Sequence, residues 1–209
     1  ASTAGSMSLA LADIDGDGDL DLYVANYRTW TMRDSFSMRI RVKTVGGKPV
    51  VSMVNGRPTT DPDLVGRFSI DAQGNLNENG EADALYQNDG HGHFVPLSFT
   101  DGTFLDEDGR PLTERPFDWS LSAMFRDLNG DGAPDLYVCG DLASPDRVWL
   151  NDQGGHFRAL RRLAMRKSSW FSMGVDFADL NRDGWDDFFV TDMVSRSHRQ
   201  RQVQVSNHR

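Results

Sequence analysis

At 209 residues and 38% hydrophobic, the chain is long enough to bury a large core, and its 20 glycines, Asn-Asp-Gly turns and short apolar runs point to an all-β class. No run of eighteen apolar residues occurs, which excludes a membrane-spanning helix of that length. The formal charge of -9 argues against a nucleic-acid partner, and the single Cys139 excludes an internal disulfide framework.

The first element, Ser6-Met-Ser-Leu-Ala-Leu-Ala, reads as a strand and runs into Asp13 to Asp21, a nine-residue pattern D-x-[DN]-x-D-G-x-x-D. Oxygen-bearing side chains stand at positions 1, 3, 5 and 9, and a glycine at position 6 (Gly18) permits the tight turn that folds them round one hard cation. An EF-hand would close such a loop with a bidentate Glu at position 12, but that position is Val24, within the strand-like run Asp21-Leu-Tyr-Val. The unit is therefore strand, calcium loop, strand. It recurs at Asp127 to Asp135 with Gly132 and Val138, and at Asp179 to Asp187 with Gly184 and Val190.

The expected ligands are Asp13, Asp15, Asp17 and Asp21 with the carbonyl of Asp19; Asp127, Asn129, Asp131 and Asp135 with the carbonyl of Ala133; and Asp179, Asn181, Asp183 and Asp187 with the carbonyl of Trp185. Ten of these groups are carboxylates, so three bound Ca²⁺ would bring the net charge to about -3. The acidity belongs mainly to metal sites. Loops without bidentate closure are expected to bind in the weak extracellular range, about 10⁻⁴ to 10⁻³ M.

The second loop begins 114 residues after the first and the third 52 after the second, the latter within the span of one four-stranded propeller blade. The excess is an insertion. Ala84-Leu-Tyr-Gln-Asn-Asp-Gly-His-Gly-His-Phe matches Arg147-Val-Trp-Leu-Asn-Asp-Gln-Gly-Gly-His-Phe, each a third strand, a turn and a fourth strand starting at Phe94 or Phe157. This places blade one at 1–99 with an insertion at 28–82, blade two at 117–161, the first half of blade three at 170–192 and a basic connector at 195–209. Within the insertion, Arg39 to Thr44 and Val50 to Val54 flank Gly46-Gly47 as a hairpin, and Phe68-Ser-Ile-Asp before Gly74 begins another.

Other motifs carry less. Asn75-x-Asn77-x-Asn79-Gly80-x-x-Asp83 fits the loop spacing formally, but its ligands are neutral amides and its phase in the blade is wrong, so it reads as a turn. Asp106-Glu-Asp-Gly109 reads as a hairpin tip. Arg182-Asp183-Gly184 resembles an adhesive tripeptide, yet Asp183 is a loop ligand; His91 and His93 fall in a turn without a third zinc ligand nearby. Cys139 suits a small buried hydrophobe. No phosphate-binding loop, nucleophile elbow or zinc-protease helix motif is present.

The apolar strand, the D-x-[DN]-x-D-G-x-x-D loop, [LF]-[YF]-V and the later [LV]-[YW]-x-N-D-x-x-G-x-F resemble the FG-GAP/VCBS repeat of integrin-α-type β-propellers. The run Phe171 to Val190 is most similar to the cartilage acidic protein and ASPIC/UnbV type within that group. The resemblance implies a ring of about seven blades, of which these residues supply about two and a half, the remaining blades belonging to the same parent protein. On this reading the chain is a secreted, periplasmic or cell-surface calcium-binding module, with structural Ca²⁺ and a protein or glycan ligand bound on its loops. A polysaccharide-active enzyme and a purely architectural module are the other readings.

Overall fold

The computed structural model describes residues 4–35, 37–142, 144–161, 163–165, 168–197 and 199–200; most of the expected basic connector, at 198 and 201–209, lies outside the described residues. In chain order, β1 (Gly5–Ala12) and β2 (Asp21–Tyr27) are followed by β3 (Ile40–Val45), β4 (Lys48–Val54), β5 (Arg57–Pro58), β6 (Phe68–Ile70) and β7 (Leu76–Glu78). The chain then returns through β8 (Ala84–Asn88), β9 (Phe94–Leu97) and β10 (Phe104–Leu105). Next come β11 (Ser120–Arg126), β12 (Asp135–Gly140), β13 (Arg147–Asn151), β14 (Phe157–Ala159), β15 (Ser172–Ala178) and β16 (Asp187–Asp192).

The sheets follow the repeat. Blade one is the antiparallel meander β1-β2-β8-β9, with everything from 28 to 83 inserted between its second and third strands. Blade two has the order β11-β12-β13-β14, and β15 pairs with β16 as the first half of a third sheet. The first strands of successive sheets pack against one another. Each carries a register shift at one repeat position, between Ser6 and Ser8, Ser120 and Ser122, and Ser172 and Gly174. One residue unpaired at the same point of each inner strand bends and twists all three alike.

One boundary differs from expectation. Phe104–Leu105, ahead of residue 117, adds to blade two as a fifth strand, parallel to β14. Two residues are too few for an alternating pattern to announce a strand; burial does so instead, because Phe104 is wholly buried and stacks between Phe99 and Phe157. It is the hub of a core between blades one and two that includes Ala10, Ile14, Tyr23, Leu85, Leu136 and Trp149. A smaller core joins Tyr137, buried Cys139 and Val148 of blade two to Val175, Phe177 and Val190 of the third sheet. Burial pushes the Cys139 thiol up to about 12, as befits an inert core residue.

Equivalent repeat positions show where the packing stops. Tyr23 and Tyr137 are 1% and 2% exposed, each covered by the following sheet, whereas Phe189 in the same position is 67% exposed. On the opposite face, Ala123 and Val175 are each 7% exposed where Leu9 is 64%. Among the described residues no sheet closes into a ring.

The insertion folds on its own small core of Val51, Val54 and Leu64, packed by Ile40, Phe68 and Leu76. Gly46 and Gly47, at φ 57° and 80°, form the two-residue turn between β3 and β4 that suits the twist of a hairpin. Its exit is bound to both blades. Arg28 donates to the carbonyls of Asn79 (2.6 Å) and Gly80 (2.7 Å) and pairs with Glu81, which accepts the Gly5 amide and bridges to Asp118. Residues 79–82 are therefore part of the blade packing rather than of the surface excursion that the spacing defined as 28–82.

Candidate metal centre

The three loops fold alike because one carboxylate organises each. Asp13 accepts the amides of Gly16 (2.8 Å), Asp17 (3.1 Å) and Gly18 (3.0 Å). Asp127 repeats this with Gly130, Asp131 and Gly132, and Asp179 with Asp183 and Gly184. Position 5 ties down position 7 in turn: Asp17, Asp131 and Asp183 each accept the amide two residues on, at 2.9 Å. Position 6 is left-handed in every loop, Gly18, Gly132 and Gly184 lying at φ 90° to 94°. Position 4 is left-handed too, at Gly16 and Gly130 (both 78°) and Arg182 (64°), a requirement the x of the motif conceals.

Position 9 closes the loop onto the sheet. Asp21 accepts the amides of Ile14 (3.0 Å) and Asn88 (2.8 Å), and Asp135 those of Leu128 (2.9 Å) and Asn151 (2.8 Å). Asp187 accepts Leu180 at 3.2 Å. Burial raises the carboxyls of Asp21 and Asp135 above the usual range; their amide donors oppose this, and the charges of Asp15 and Asp17, or of Asp131 and Asp127, add to it. Burial acts on Asp127 as well, but the amides of Gly132 and Gly130 hold it below the usual range.

In loop one the carboxylates of Asp13, Asp15 and Asp21 converge, with one oxygen from each within 4.8 Å of the others. Asp17 stands outside this group. At that separation each like-charged pair repels by about 1 to 3 kcal/mol between water and a protein surface. The donor set is all oxygen, hard and anionic, and fits Ca²⁺ better than a softer metal. Loops two and three place Asn129 and Asn181 at position 3, where the amide oxygen accepts the Asp131 or Asp183 amide at 2.9 Å, in the same role as Asp15.

The competing motifs fall elsewhere. Residues 76–78 of the Asn75 to Asp83 pattern form β7, and Asp83 faces inward to accept Tyr23 Oη (2.7 Å), the Asn26 amide and Ser120 Oγ, so no loop forms. The Asp106 carboxylate accepts the amides of Asp108 and Arg110, and its backbone carbonyl accepts that of Gly109, across a tight tip. His91 and His93 are exposed and turned onto Asp89. Asp183 of the Arg-Asp-Gly tripeptide is turned into its own loop.

Two adjoining features were not visible in the motif. Trp185 lays its exposed ring over Gly130 of the preceding loop, and Arg126 pairs with Asp186 beside it. A cleft of about 610 Å³ opens between the insertion and blade two, lined by Tyr27, Thr31, Met32, Asn77, Phe117 and Trp119 among others.

Family comparison matches residues 6–29 to the FG-GAP repeat and residues 127–190 to the FG-GAP-like repeat. The chain carries FG-GAP repeats. The two matched segments hold loop one with its flanking strands, and loops two and three with β12, β13 and β14 of blade two between them, so the all-β sheets and the repeat agree with a β-propeller. No curated protein matches the chain.

Proposed function

We propose that these FG-GAP repeats form the calcium-binding part of an extracytoplasmic β-propeller of the cartilage acidic protein and ASPIC/UnbV type, whose activity is binding rather than catalysis. The observation that carries this reading is the convergence of Asp13, Asp15 and Asp21 in a loop whose backbone is rebuilt twice along the chain. Asp13, Asp15 and Asp21, whose oxygens converge, hold the first ion, with Asp17 turning in from outside that group to join them, and the corresponding Asp and Asn side chains of loops two and three hold the others. A bound Ca²⁺ supplies charge neutralisation there, fixing the turn between the first two strands of each sheet. Millimolar extracellular calcium suits such sites, and cytosolic calcium does not.

The outer faces of blade one and of the third sheet take neighbouring blades, which is supported by the exposure of Leu9 and Phe189 at positions buried elsewhere in the repeat. The cleft beside the insertion, with apolar Met32 and Phe117 and polar Thr31 and Asn77, suits a protein or carbohydrate ligand. Equilibrium dialysis tests the metal reading. Wild type binds three equivalents of calcium, Asp131→Ala two, and Asp108→Ala, in the tight tip, three; the absence of calcium binding by the wild type refutes it.

A further inference from the structure

Asn151 ends β13, is 2% exposed, and touches two metal loops at once. Its backbone amide donates to Asp135 Oδ1 (2.8 Å), the closing carboxylate of loop two. Its side-chain amide donates to the carbonyl of Ile14 in loop one (2.7 Å) and to that of Pro134 in loop two (3.3 Å). The Ile14 amide in turn donates to Asp21 Oδ2, the closing carboxylate of loop one, at 3.0 Å. A continuous path thus runs from Asp135 through one buried side chain and residue Ile14 to Asp21. The same turn is wedged between the loops: Gly155, whose amide Asn151 Oδ1 accepts, lies against Ile14 and Asp15, and Gln153 donates to the Asp131 carbonyl at 2.7 Å.

The repeat supplies its own control. Asn88 occupies the same position in blade one, donating its backbone amide to Asp21 Oδ1 and its side-chain amide to the Leu20 carbonyl (3.2 Å), both within loop one. Closing one's own loop needs no more than that. The further bond from Asn151 to Ile14 crosses between blades and serves no purpose within loop two.

We propose that Asn151 is a positioning residue that couples loops one and two, so that closure of loop two on a cation raises the affinity of loop one. The proposal rests on the calcium reading above. Only an amide serves here, since one –NH₂ reaches two carbonyls while the oxygen accepts from Gly155; a carboxylate would face two carbonyl oxygens. The coupling is carried by two hydrogen-bonded closing carboxylates that share a rigid intermediary, and sites linked in this way change each other's affinity about five- to tenfold.

The test uses the full chain with loop three silenced by Asp183→Ala in every variant, leaving two sites for calcium titration calorimetry. Adding Asp131→Ala, which empties loop two, is expected to weaken calcium binding at loop one about five- to tenfold. With Asn151→Ala also present, Asp131→Ala leaves loop-one affinity unchanged; with Asn88→Ala present instead, loop one is weaker throughout but still responds. An equal response with and without Asn151, or no response in either, overturns the coupling while the calcium reading stands. No calcium heat from the Asp183→Ala parent overturns both. Should Asn151→Ala lose its β-sheet circular dichroism, hydrogen exchange at the Ile14 amide decides: in calcium, Asp131→Ala should lower its protection, and unchanged protection overturns the proposal.

Discussion

Replacing Gly80 by alanine separates an insertion that hangs from blade one as a free excursion from one that is docked. Gly80 is buried where the insertion rejoins the blades, and an added Cβ would collide with the Asp118 backbone carbonyl and come within 2.6 Å of the Trp119 amide nitrogen. Backbone cannot swing aside as a side chain can, so the two segments must part. Parting them loosens the Arg28 bonds to Asn79 and Gly80, the Trp119 indole bond to the Glu78 carbonyl (3.3 Å) and the Glu81 bridge to Asp118. With a net of about 1 kcal/mol for a neutral hydrogen bond and about 1.5 to 3 for one to a charged group, the loss is about 3 to 5 kcal/mol after relaxation. Gly74→Ala is the reference: it lies in the β6–β7 turn at φ 86° with nothing within 4 Å, and carries only the backbone cost of about 1 to 2 kcal/mol. Equilibrium urea unfolding, followed by circular dichroism and tryptophan fluorescence, gives both values. A loss for Gly80→Ala no greater than for Gly74→Ala would refute the docked arrangement.

Chelation should lower the melting temperature, because 1 mM calcium against a Kd near 0.1 mM contributes roughly 1.5 kcal/mol per site; identical melts in EDTA and calcium would remove the structural role. Gly16 and Gly130 share φ 78°, but an added Cβ meets open space at Gly16 and the Trp185 ring at 2.7 Å at Gly130. Gly130→Ala should therefore shift the tryptophan emission while Gly16→Ala leaves it in place, and matching spectra would count against the inter-loop contact. Burial pushes the Asp83 carboxyl up to about 6, against the hydrogen bonds from Asn26, Tyr23 and Ser120. A carboxyl raised in the folded state stabilises below the unfolded pKa, near 4, and loses that contribution as pH rises through about 6. The stability of wild type minus that of Asp83→Asn, from urea unfolding at stepped pH, should fall across pH 4 to 6; a rise over that window would reverse the assignment.

What could be read from the residues was whatever is local and periodic. The three strand–loop–strand units, the Gly46-Gly47 hairpin and the shared third and fourth strands each announce themselves through alternation or turn chemistry within a dozen residues. What escaped depends on contacts between distant segments. Phe104 gains its strand only by lying against Phe157, and Arg28 looks like any surface arginine until Asn79 and Gly80 come back to it. Asn151 was visible as a turn residue, but its bond to Ile14 crosses 137 positions of sequence. The left-handed fourth position of the loops was hidden because Arg182 adopts there what Gly16 and Gly130 adopt more easily.

The anchorage of the insertion also has a mechanical side. Arg28 follows the second strand of blade one, Glu81 accepts the amide at the start of that blade's first strand, and Asp118, which Glu81 bridges, pairs with Arg147 of blade two. A tug applied to the tip of the insertion would therefore be shared between two sheets rather than peel one edge strand. The excursion is mounted like a bracket bolted to two adjoining plates, and a tethered ligand would strain the seam between them before it unravelled either one.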